Sequence, residues 1–156
     1  MLSIQISDIK DFMSHLLSKD TFDHFYFIEA SIKMGVSYQI QGRINEGFYD
    51  TSVEQTLNRE FCYWKEIRHR IFDIIKGKRL PLSCKIVLGL SKQSISYLIA
   101  HNNSSFREED IEGIYVNILY DPKNLLITTG ISYKNFSLDK SLEYAFDEYL
   151  AKFLKE

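Results

Sequence analysis

Residues 64 to 81 read WKEIRHRIFDIIKGKRLP. Lysine and arginine at this density can neutralise phosphate, and the stretch carries the chain's only tryptophan. From Arg59 to Arg79 there are seven basic and three acidic residues, a net of +4, within a chain of 156 residues whose net charge is −2. Lys65, His69, Lys76, Lys78 and Arg79 are therefore candidate phosphate- or partner-binding residues, with Tyr63 or Phe72 available for stacking. Wound at 100° per residue, Trp64, Ile67, Ile71, Ile74 and Ile75 fall on one side. Lys65, His69 and Lys76 border that side. Arg68 lands inside the apolar stripe, where its guanidinium must snorkel out or meet an acceptor. Gly77 is placed to end the helix, and Lys76 and Lys78 suit its negative carbonyl end. A helix terminus with a wet border accounts for much of this charge. It competes with a phosphate surface and with a face for an acidic protein partner.

Other reactive residues form no constellation. Cys62 and His69 are seven apart, about 10 Å if both lie on one helix, which is too far for a nucleophile and its base. The two cysteines, Cys62 and Cys84, have neither C-x-x-C nor zinc spacing and read as buried thiols in a reducing compartment. His15, His24, His69 and His101 are scattered. Asp20, Asp23 and His24 come nearest to a metal cluster, in a turn of ordinary composition. Glu108, Glu109, Asp110 and Glu112 read as a solvated loop before a strand. No phosphate loop, nucleophile elbow or RNA-recognition strand is present. The residues call for no cofactor and no metal, and lean away from an enzyme.

The elements that hold these residues follow from periodicity. LSIQIS alternates as a strand, and Ser7 can cap a helix whose stripe is Ile9, Phe12, Met13, Leu16 and Leu17. FYFIEASI and VSYQIQGRI alternate as a hairpin around Lys33-Met34-Gly35, stacking Tyr26, Ile28, Ala30 and Ile32 on one face with Val36, Tyr38 and Ile40. CKIVLGLS is a strand that ends in a second cap, Ser91, before a helix with Ile95, Leu98 and Ile99. IYVNILY and NLLITTGISY form a second hairpin across Asp121-Pro122-Lys123-Asn124, with Tyr120 opposite Leu125. Helices around Trp64–Lys76 and Lys140–Leu154 close each half, and the last starts at Ser137 or Asp139. Residues 45–60 read as a loop insertion. The outward faces of the hairpins gather Phe25, Phe27, Glu29, Gln39, Gln41 and Arg43 in the first, and Tyr115, Asn117, Leu119, Leu126, Thr128 and Ser132 in the second.

The fold class this implies is α+β, one domain over residues 1–156. It has two similar β-α-β-β-α halves (1–80 and 81–156), antiparallel hairpins, about six strands and four helices. The runs ISDIKDFMSHLL, EASI, IKGKRLPLSCKIV and FSLDKSLEYAFDEYLAKFLK resemble a small bacterial family of cytosolic proteins of unknown function. The resemblance spans nearly the whole chain and implies one domain, but no activity or ligand. The repeated order is also similar to half-domains of DNA sliding clamps, a likeness of topology alone.

No secretion signal opens the chain and no apolar run approaches eighteen residues, so the expected place is the cytoplasm, away from membranes. The expected role is a non-catalytic protein-interaction or self-associating module. Its partner would be a second copy or an acidic protein. The alternatives are a nucleic-acid-associated module using residues 65–79, and an enzyme without a recognisable motif. The last helix sets Tyr144, Asp147 and Glu148 on its outer side, a candidate acidic interface for the basic helix of another copy.

Overall fold

A computed structural model describes residues 2–49, 59–102 and 104–155. The chain runs β1 (Ser3–Gln5), α1 (Ile9–Leu17), β2 (Tyr26–Lys33), β3 (Ser37–Gln41), α2 (Trp64–Ile75), β4 (Ser83–Gly89), α3 (Lys92–His101), β5 (Ile111–Tyr120), β6 (Leu125–Tyr133) and α4 (Ser141–Lys155). All strand pairs are antiparallel, and the sheet order is β1-β6-β5-β4-β2-β3. This is the α+β architecture of six strands and four helices that the periodicities predict. Much of the expected insertion, residues 50–58, lies outside the described residues.

Period-two alternation sends Ala30, Ile32, Ile86, Leu88, Val116 and Ile118 to one face of the sheet. There they join Leu16, Trp64, Ile71, Leu98, Phe146 and Leu150, so all four helices share one core with one face of the sheet. Each buried Leu, Ile, Val or Phe among them stabilises by roughly 1.5–3 kcal/mol. Two polar contacts fix the helices in that layer. The Trp64 indole donates to the Leu16 carbonyl at 2.7 Å. Arg68 finds the acceptor its position demands: Asp23 takes Nε and Nη2 at 2.8 and 3.1 Å, with both side chains only 11–12% exposed. Asp23 is thus an ion-pair partner.

Three local expectations are corrected. The first helix is capped by Asp8, whose carboxylate takes the Asp11 N–H, and not by Ser7. The last helix begins at Ser141, with Asp139 accepting the Ser141 N–H at 2.9 Å. In the first hairpin Ile32 pairs with Tyr38, not Val36, so the loop is Met34-Gly35-Val36. A shift of two residues keeps Ala30, Ile32, Tyr38 and Ile40 on their expected face.

A larger correction comes from the bulge between Phe27 and Glu29. One extra residue reverses the alternation before it. Phe27 therefore turns into the core, against Trp64 at 5.7 Å, and Tyr26 turns to the other face. Phe25 is likewise buried rather than outward. Glu29, Gln39, Gln41 and Arg43 stay exposed as expected.

The two halves share an order of elements but not a set of neighbours. β4 lies beside β5 in its own half, whereas β1 is parted from β2 by three strands and pairs with β6.

Candidate functional site

Three regions concentrate exposed chemistry. The first is the corner where α2 ends beside the β2–β3 hairpin. α2 unwinds at Lys76, and Gly77 takes φ +146°, a backbone that disfavours side chains. The chain then returns along the hairpin, and the Leu82 N–H donates to the Lys33 carbonyl at 2.8 Å. Val36, Leu80 and Leu82 are left 64, 67 and 70% exposed. Lys76 pairs with Asp73 at 3.1 Å and lies over the Phe72 ring. Lys78 and Arg79 are exposed. Lys65 and His69, also exposed, sit about three and two turns back from that end, so the five predicted residues are spread along α2 and just past it and do not form one pocket.

β3 is the edge strand of this corner, and it reads SYQIQ. Its inner side pairs with β2, and among the described residues nothing pairs with its outer side. From Met34 to Gly42 the chain holds no charged residue. Edge strands are ordinarily blunted by lysine, proline or a covering segment.

The second region is α4, where the expected interface trio divides. Tyr144 and Glu148 are exposed, and Glu148 pairs with Lys152 at 3.8 Å. Asp147 is half-buried and faces the sheet, accepting the Thr129 hydroxyl at 2.8 Å. That hydroxyl also accepts the Leu2 N–H at 2.8 Å. Asp147 therefore serves to hold β1 on β6.

The third region was invisible to the sequence reading. A cleft of about 740 Å³ opens at the end of the sheet where β4 runs into α3. Gly89 pairs with Tyr26 on one side and Tyr115 on the other, so two tyrosines flank a glycine on the helix-free face. Ile28, the bulge residue, lies across that glycine and lines the cleft. Phe61 packs on Tyr26 at 6.3 Å between ring centres. Lys92, Glu108, Glu109, Glu112 and Lys134 also line it. Burial pushes both phenols above their ordinary value, Tyr115 further by the Glu112 and Glu60 carboxylates. The clue in the sequence was the glycine inside an otherwise apolar strand, IVLGL.

Both thiols are held in the protonated form. Burial pushes Cys62 up to about 11 and Cys84 up to about 12. Among the described residues no three His, Cys, Asp or Glu side chains gather in a way that could hold a metal, and no helix is long and apolar enough to cross a membrane.

A family model matches residues 15–156, and the chain belongs to that family, DUF5721, a family of unknown function. No curated protein and no solved structure matches the chain.

Proposed function

We propose that this domain is a non-catalytic, self-associating module whose chains meet along β3. One observation carries the reading: β3 is an exposed edge strand, unpaired on its outer side among the described residues and without charge from Met34 to Gly42. Half the backbone donors and acceptors of an edge strand point outward, and a second strand satisfies them. Two-fold antiparallel pairing about Gln39 is self-complementary. It sets Ser37 against Gln41 and Tyr38 against Ile40, with the two Gln39 amides facing each other. No like charges meet in that register. Val36 and Tyr38, exposed on the hairpin, extend the contact with apolar area.

Equilibrium sedimentation tests it. The wild-type chain is expected to approach twice 18.4 kDa as concentration rises. Gln39→Lys places two ammonium groups opposite each other on an exposed strand and should return the monomer, while Tyr144→Ala on α4 leaves the mass unchanged. A monomer at every concentration overturns the proposal. A second reading puts an acidic partner, or another copy's α4, on Lys76, Lys78 and Arg79. It is favoured by their exposure beside Leu80 and Leu82. Association of that kind weakens steeply with salt and is indifferent to Gln39→Lys.

A further inference from the structure

The cleft at the end of β4 is built from segments far apart in the chain, and its groups divide by whether they already have partners. Three of the four lining acids are engaged. Glu60 pairs with Arg43, Glu109 with Arg107 at 3.4 Å, and Glu112 accepts the Ser132 hydroxyl at 2.8 Å. The donors are less committed. Tyr26 is only 9% exposed and lines the cleft, and its phenol hydroxyl is able to donate. The Lys92 ammonium makes no ion pair among the described residues and lines the same cleft. The rest of the lining is largely apolar, with Ile28, Ile95 and Ile111 beside the rings of Phe61 and Tyr115. An apolar and aromatic lining with a few donors is the composition of small-molecule sites, and about 740 Å³ is within their size range.

We propose that this cleft binds a small carboxylic acid with an aromatic or branched apolar body. The body rests on these isoleucines beside Phe61 and Tyr115, and the carboxylate is held by Lys92 and the Tyr26 hydroxyl. Charge-assisted hydrogen bonds from ammonium and phenol favour an anion there. Glu60, Glu109 and Glu112 already hold partners, and Lys134, whose N–H donates to the Asp110 carbonyl at 3.0 Å, belongs to the same lining. This site is separate from the β3 edge, and either proposal can fail without the other.

The experiment is an amide-resolved NMR titration of the full chain with three probes of one shape: 3-phenylpropionate, its uncharged amide, and phenethylamine. Phenylpropionate is expected to move the amide signals of Gly89, Lys92 and Tyr115 and to bind about tenfold more tightly than the amide. Lys92→Ala, an exposed substitution that should leave the fold intact, is expected to erase that difference. Lys134→Ala should leave it nearly unchanged. Equal affinity for acid and amide, tighter binding of the amine, shifts centred elsewhere, or no shifts at millimolar probe would each overturn the proposal.

Discussion

The hairpins β2–β3 and β5–β6 both follow a strand and a helix, and they end up in opposite situations. β5 lies inside the sheet between β4 and β6, and β6 is covered in turn by β1. That cover is only three residues long, and Thr129 secures it by accepting the Leu2 N–H while donating to Asp147. β3 has no such cover among the described residues. The strand sequences differ accordingly. IYVNILY is close to continuously apolar, as suits a strand with neighbours on both sides, whereas SYQIQ is polar at every other position. The difference between the halves is therefore a three-residue strand and its hydroxyl clasp. Placing that cover on one half alone leaves the other with a free edge.

Both hairpins also bulge near a glycine, and the two glycines are not equivalent. At Gly42 an added Cβ would fall 1.8 Å from the Phe27 carbonyl oxygen, which is backbone. At Gly113 it would meet the Tyr115 hydroxyl at 2.2 Å, the far end of a side chain that can swing. Gly42→Ala should destabilise by about 3 kcal/mol or more, because the bulge itself must open. Gly113→Ala should cost about 1 kcal/mol, and Tyr115 should shift in the cleft. Urea unfolding of the two variants decides. Equal losses would mean that the first bulge is as soft as the second, and the contrast between the hairpins would fail.

The clasp can be removed alone. Thr129→Val keeps the shape and deletes the hydroxyl, so the Leu2 N–H loses its acceptor. The expected loss is about 1–2 kcal/mol. It should appear locally as faster hydrogen exchange at Ile6 and Thr129, whose N–H groups bond to Leu125 and Leu2 across the β1–β6 pair, with β2–β3 unchanged. Unchanged exchange there would show that β1 is held by its ladder and needs no clasp.

Legibility in the sequence tracks how local the cause is. The β5–β6 register was readable because Asp121-Pro122-Lys123-Asn124 permits one turn, and the Asp121 carboxylate does take the Lys123 and Asn124 N–H groups. The β2–β3 register was misjudged by two residues because Met34-Gly35-Val36 carries no comparably strong signal, yet the buried face survived the error. The bulge at Ile28 was not readable. It answers to Gly42 and Cys62, which bond to Ile28 and Phe27 from other segments. Arg68 announced its need for an acceptor from the helical wheel, while Asp23, 45 residues away, did not announce itself. The wheel also put Asp147 on the outer side, because it cannot see that a polar residue on β6 waits there. The cleft failed for the same reason: its groups come from five stretches, and Glu108, Glu109 and Glu112 do look like the exposed loop they partly are.

The smallest expected effect concerns how each half begins the helix after its hairpin. α4 is entered through Asp139, which is fully exposed and held below its ordinary value chiefly by the Ser141 N–H. α2 is entered through Glu66, which receives Arg59 at 2.6 and 2.9 Å and the Tyr63 N–H at 2.6 Å. The Arg59 hydrogen bond, against an opposing desolvation effect, holds the Glu66 carboxyl below its ordinary value near 4.5. A carboxylate whose folded value lies below its unfolded one adds stability that is fully present above the unfolded value. That stability is lost as pH falls through the folded value. Glu66→Gln should therefore cost less than about 1 kcal/mol at pH 7, because the side chain is 38% exposed and solvent screens the pair. Below pH 4.5 the variant should lose stability more slowly than the wild type, since it has no proton to take up at this position. Urea midpoints measured across the acid range give both curves. Parallel curves would mean that the Arg59–Glu66 pair does not fix the start of α2, and that the two helix entries are as alike as the repeated order of elements suggests.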